Sequence, residues 1–186
     1  MEFPVLETER LILREWSVDD AADLLAFYSC EEVFRYAGKG PYTTMEQSTF
    51  LAAGFQSWFR ENKPSIVWAV VLKETGRVIG EISLHSWNAE HFRSQIGYSF
   101  SPEVWGKGIA KEAATAVIAY AFKDFYPFTI NRIEATTSPE NSASRKLLER
   151  LGFMQEAVLR DFVFEKGKFV DSVMYSLLRR EYNPKH

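Results

Sequence analysis

Residues 95–121 read QIGYSFSPEVWGKGIAKEAATAVIAYA, and the fold turns on how this stretch is interpreted. Gln95 to Phe100 alternates apolar and polar side chains and is rich in aromatics, which suits a half-buried strand. Ser101-Pro102 breaks the pattern, because proline donates no ladder hydrogen bond and holds its predecessor extended. From Lys107 onward, Ala110, Ala113, Ala114, Val117, Ile118, Ala121 and Phe122 recur on one helical face, predicting a helix over Lys107–Lys123. Its first turn offers unpaired N–H groups and the positive end of the helix dipole. Gly106 and Gly108 remove side chains that would hold an anion off the backbone. The segment reads as a diphosphate cradle, although a plain tight strand–helix connection uses the same residues. The GxxxxGK[ST] signature of nucleotide loops and the GxGxxG signature of dinucleotide folds are both absent.

The 186 residues are expected to form a single domain, residues 1–186, with its core over 6–178 and a frayed tail at 183–186. A hydrophobic fraction of 46% and a charged fraction of 25% match a globular chain, and 15% aromatics predict a ring-rich core. A net charge of −3 gives no footing for direct nucleic-acid binding. The single cysteine, Cys30, excludes an internal disulfide and fits a reducing cytoplasm. The N-terminal MEFPVLETERL lacks the features of a signal peptide, and no uncharged apolar run approaches ~18 residues, so no membrane span is expected. No His, Cys and acid spacing supports a metal site.

In chain order, Leu6–Trp16 reads as a first strand, and Ser17 with Asp20 forms a capping pair opening a helix to about Tyr28. Residues Glu31–Tyr42 form a loop. Thr43 or Thr44 caps a second helix, Met45–Glu61, whose Phe50, Leu51, Gly54, Phe55, Trp58 and Phe59 make one stripe. Three strands follow as a meander: Ile66–Leu72, nearly all apolar and so covered on both faces, then Val78–Trp87, then Gln95–Phe100. After the Lys107 helix, Phe125–Thr129 ends it with Pro127. Ile130–Thr137 is a strand, Asn141–Leu151 a short helix, and Phe153–Phe164 and Lys168–Leu178 a last hairpin.

Residues 138–153, SPENSASRKLLERLGF, place an Asn cap at Asn141 and Ser144 one turn along, on the same side of that short helix. On its own this is an ordinary capped helix with Leu147, Leu148 and Leu151 turned to the core. Combined with the glycine-bearing turn, it resembles the GNAT superfamily of acetyl-CoA-dependent N-acetyltransferases. Gly108 and Ala110 match the last fixed positions of that family's Gln/Arg-x-x-Gly-x-Gly/Ala loop, with Trp105 where Gln or Arg is usual. Asn141, Ser144 and Gly152-Phe153 match its second motif. The W-G-K-G-I-A form after Tyr-Ser-Phe-Ser-Pro is similar to the RimJ/RimL branch, whose named members acetylate the N-termini of ribosomal proteins. The resemblance spans about Leu6 to Leu178.

It implies a mixed α/β (α+β-like) fold. A central, mostly antiparallel six- to seven-stranded sheet would have a splayed parallel pair in the middle and about four helices. It also implies acetyl-CoA as cosubstrate, without a metal. The diphosphate would lie on backbone amides of Gly106, Lys107, Gly108, Ile109 and Ala110, beside Trp105, with Lys107 or Lys111 adding charge. A strand amide around Ser99, Phe100 and Ser101 would polarise the thioester carbonyl, and Asn141 would border the coenzyme. Ser144, with Asn141, is the catalytic candidate: it would donate to the leaving thiolate, since the Tyr many relatives use is Leu148 here. The Glu that serves RimL-like enzymes falls on Val163, so Glu81, Glu103, Asp161 or water remain as bases. The acceptor is expected to be a primary amine, a protein N-terminus first and a small-molecule amine second. The rival reading is a CoA-binding sensor without turnover. A monomer and a homodimer both fit.

Overall fold

The computed structural model describes residues 2–61, 65–123, 125 and 129–183. Eight strands form one sheet: β1 Leu6–Glu7, β2 Leu11–Arg14, β3 Ser65–Leu72, β4 Val78–Asn88, β5 Arg93–Phe100, β6 Arg132–Thr137, β7 Met154–Glu165 and β8 Lys168–Leu178. Four α-helices accompany them: α1 Ala21–Tyr28, α2 Met45–Arg60, α3 Ile109–Lys123 and α4 Ser142–Arg150. The strand order is β1-β2-β3-β4-β5-β6-β8-β7, and β5–β6 is its one parallel pair. The sheet therefore has one strand more than the six or seven expected. The extra one arises at the first strand, which breaks into β1 and β2. There Thr8 N–H donates to the Leu11 carbonyl at 3.0 Å, and the Thr8 hydroxyl accepts from Leu11 N–H at 3.0 Å.

Both faces of the sheet are covered, which explains the unbroken apolar run of β3. Ile66, Trp68 and Val70 pack with α3 and α4, whereas Val67, Ala69 and Val71 pack with α1 and α2. The capping signals hold. Asp20 Oδ2 accepts from Ser17 N–H at 2.8 Å ahead of a 3-10 turn leading into α1. Thr44, rather than Thr43, caps α2, with Gln47 completing the box. The α2 stripe needs one correction: Phe50 is 82% exposed. The buried side of α2 is Ser48, Ala52 and Phe55, and Phe50 lies two residues from Ala52, on the opposite side of the helix. The α3 helix begins at Ile109 rather than Lys107. The Pro127 stop and the tail at 184–186 lie outside the described residues.

Gly80 sets the contact between β4 and the end of β5. A Cβ there would stand 2.5 Å from the Phe100 ring and 2.6 Å from the Ser99 carbonyl oxygen. Gly80→Ala should therefore cost about 2 kcal/mol by overpacking. Thermal denaturation checks this, and an unchanged midpoint would show that the two strands can separate freely.

Candidate active site

The site is built around a gap in the sheet. Strands β5 and β6 pair only through Arg93–Arg132, Ser94–Ile133 and Gln95–Glu134, after which they diverge. Ser101 N–H donates to the Ile79 carbonyl at 2.8 Å. By the alternation of an antiparallel pair, Ser99 also points its N–H at β4, and Tyr98 and Phe100 point theirs into the gap. Of Ser99, Phe100 and Ser101, only Phe100 presents its amide there; Ser101 does not. Trp105 Nε1 donates to the Phe100 carbonyl at 2.9 Å, which ties the glycine-bearing turn to the end of β5.

That turn opens as the α3 mouth. Gly106 and Gly108 adopt φ of +74° and +78°, the region glycine enters without steric cost. Glu112 N–H is the first in α3 to reach a helical carbonyl, that of Gly108, so the amides of Ile109, Ala110 and Lys111 are its orphan donors. Lys107 departs from expectation: its N–H turns back to the Val104 carbonyl at 3.4 Å. Arg10, which the sequence did not single out, reaches the same mouth. Its Nη1 donates to the Lys107 carbonyl at 3.0 Å and its Nε pairs with Glu112 at 2.7 Å. The mouth thus combines a helix N-terminus with cationic side chains, the chemistry a diphosphate needs.

Across the gap, Asn141 caps α4 by accepting from Ser144 N–H at 3.1 Å. Ser144 Oγ and the Tyr98 hydroxyl lie 2.8 Å apart, joining α4 to β5. Burial pushes the Tyr98 phenol up to about 12. Leu148, where many relatives carry a Tyr, is 1% exposed and belongs to the core.

On the other face of the sheet, Glu81 of β4 stands directly opposite Ser99. The residue reaches solvent in part, but its carboxyl is enclosed, and this burial raises its pKa to about 7. The Tyr28 hydroxyl donates to it at 3.1 Å, and Lys39 offsets part of the shift. The other base candidates lack such surroundings. Glu103 is exposed in the turn before Trp105, and Asp161 is exposed on a bulge of β7. His91 is exposed, and His85 is held below its ordinary pKa by burial. Among the described residues, no cluster of metal-ligating side chains occurs and no helix is long and apolar enough to cross a membrane.

A β-sheet opened at one parallel pair, with the N-terminus of the following helix and cationic side chains at its mouth, suits a cosubstrate that carries a diphosphate. The profile of the acetyltransferase (GNAT) domain matches residues 10–154, and the chain belongs to that family. It is 36% identical to the uncharacterized N-acetyltransferase YoaA of Bacillus subtilis over 95% of this chain and 98% of that one. It is 27% identical to the [ribosomal protein uS5]-alanine N-acetyltransferase of Escherichia coli, over 96% and 93% of the two chains. Among solved structures, a GNAT-family acetyltransferase from Bacillus anthracis superposes with a TM-score of 0.84 at 27% identity, covering 96% of this chain and all of that one. The protein is an N-acetyltransferase.

Proposed function

We propose that residues 1–186 act as one domain that transfers the acetyl group of acetyl-CoA to an α-amino group, a protein N-terminus first among candidates, in the cytoplasm. The observation that carries this reading is the enclosed Glu81 carboxyl with its pKa near 7. An α-amino group titrates near ~8 and a lysine ammonium near ~10.4. Handing a proton to Glu81 is then uphill by roughly 1.4 kcal/mol for the first and roughly 4.6 kcal/mol for the second. Glu81 serves the first far better. The E. coli relative that acts on a ribosomal-protein alanine supports the same choice.

In this mechanism the amides of Gly108, Ile109, Ala110 and Lys111, with Arg10, grip the diphosphate, and pantetheine lies along β5 in the gap. Glu81 takes the proton of the incoming ammonium. The amine nitrogen bonds to the thioester carbon while the Phe100 N–H stabilises the developing oxyanion. As the C–S bond breaks, the Ser144–Tyr98 pair donates a hydrogen bond to the thiolate, and the second proton shed by the acylated nitrogen passes to that thiolate, leaving an amide and a free thiol. A phenol near 12 is weaker than a thiol near ~8.5, so the pair stabilises charge through a hydrogen bond rather than surrendering its proton.

The test incubates the protein with acetyl-CoA and peptides with free or blocked N-termini, polyamines, amino acids and aminoglycosides. Thiol release that requires a free α-amine is expected; release with polyamines alone would overturn the protein-terminus choice. Ser144→Ala should lower kcat about tenfold and leave acetyl-CoA affinity unchanged. An unaltered kcat would remove Ser144 from the chemistry.

A further inference from the structure

Near Glu81 lies a feature that the acetyl-transfer chemistry does not use. Phe34 and Tyr42 are stacked, with ring centroids 6.2 Å apart and planes within 12°. Tyr28 stands edge-on to both, at 5.1 Å from Phe34 and 5.3 Å from Tyr42. Three ring walls therefore meet, with the Tyr28 hydroxyl bonded to the carboxyl beneath. One cation already sits over them. Lys39 Nζ lies 5.4 Å from the Tyr28 ring, 5.7 Å from Phe34 and 5.1 Å from Tyr42, within the ~6 Å over which ring faces attract a cation. Its hydrogen bond to the Tyr42 hydroxyl is long at 3.5 Å.

The walls and the lysine differ in how firmly they are held. Tyr28 and Phe34 are 5% and 4% exposed, and Lys166 of the β7–β8 turn donates to the carbonyls of Phe34 and Arg35 at 3.4 and 3.3 Å. Lys39 is exposed, lies between Gly38 and Gly40, which add no side chains to the rim, and forms no ion pair within salt-bridge distance among the described residues. Two buried rings and a half-buried third, with a carboxylate behind them and a surface lysine over them, have the geometry of a cation site filled from its own chain.

We propose that the Tyr28–Phe34–Tyr42 box receives the acceptor as an alkylammonium ion, and that Lys39 is a tethered occupant which the acceptor must displace. This rests on the acetyl-transfer reading, because it places the incoming cation beside the base that must deprotonate it. It adds a selection rule: the acceptor enters charged, through an aromatic port, and loses its proton only on reaching Glu81. It also makes the Gly38–Thr44 segment a built-in competitor that weakens acceptor binding by the fraction of time Lys39 occupies the box.

Tetramethylammonium tests the box apart from catalysis, since it is a cation that cannot be acetylated. Titrated without acetyl-CoA and followed by the ring-current shift of its methyl proton signal, it should bind Lys39→Ala at least about fivefold more tightly than the wild type. Lys39→Arg should restore the weaker binding. Adding Tyr42→Leu to Lys39→Ala should abolish the gain; this half-buried rim position lets the fold be checked separately by circular dichroism. With a free amine that the protein acetylates, Lys39→Ala should lower KM for the acceptor and leave KM for acetyl-CoA alone. Equal tetramethylammonium affinity in the wild type and Lys39→Ala, or tight binding that survives Tyr42→Leu, overturns the proposal. Failure of the acetyl-transfer reading shows differently: the methyl signal would respond as expected, but no amine would draw thiol release.

Discussion

Gly108→Asp should yield a folded protein whose affinity for acetyl-CoA is at least about a hundredfold weaker, as read by calorimetry. Gly108 sits at φ +78°, and Asp is among the residues that tolerate this region, so backbone strain alone does not explain such a loss. What changes is charge. A Cβ there points to open space with Arg10 Nη2 at 3.5 Å, so the new carboxylate would pair with Arg10 and face the orphan amides of Ile109, Ala110 and Lys111. It would occupy the place of the diphosphate and repel it. Gly108→Asn, similar in shape and neutral, should lose only about tenfold, and the difference between the two isolates the electrostatic share. If Gly108→Asp binds the coenzyme as the wild type does, the diphosphate lies elsewhere.

Glu81→Gln should lower kcat on the order of 10²- to 10⁴-fold, the usual worth of a positioned base. The wild-type rate should rise with pH through an apparent pKa near 7, because only the carboxylate accepts a proton, and the variant should lose that limb. The groups set against Glu81 are Tyr28, which donates to it, and Lys39, whose charge pulls its pKa down. Stability should move the opposite way from activity. The unfolded chain releases this proton near 4.5 and the folded chain near 7, so the native state binds the extra proton between those values. The stability so contributed is complete below 4.5 and is lost as pH rises through 7. Above pH 7, Glu81→Gln should therefore be more stable than the wild type by roughly 1–3 kcal/mol. A variant with full turnover, or with lower stability at pH 8, would remove Glu81 from the role of enclosed base.

Short-range signals in the sequence were the legible ones. The apolar run of β3, the face of α3, the capping pair Ser17–Asp20, the threonine cap of α2 (narrowed to Thr43 or Thr44), and the Asn141 cap each follow from residues within a few positions of one another. The break between β1 and β2 was missed because it depends on how a single threonine, Thr8, bonds Leu11. Candidate site residues could be proposed where a motif is contiguous and were opaque where the fold brings distant residues together. Tyr98 acquires its place from Ser144, 46 residues on, and Tyr28 from Glu81, 53 residues on. Glu81 did leave a trace, as a lone carboxylate in the apolar VIGEISL. What separates it from Glu103 and Asp161 is enclosure, which no local pattern reports.

Glu112, in the middle of the chain, gathers three bonds from near its N-terminus: the Thr8 hydroxyl at 2.6 Å, the Arg10 amide at 2.9 Å and the Arg10 guanidinium at 2.7 Å. The bracket that squares up the proposed diphosphate cradle is thus sewn across more than a hundred residues of chain. A nascent polypeptide cannot assemble it until α3 has emerged and folded back on the first hairpin. Clipping the chain before Arg10 would remove Thr8 and loosen a grip formed about a hundred residues further on.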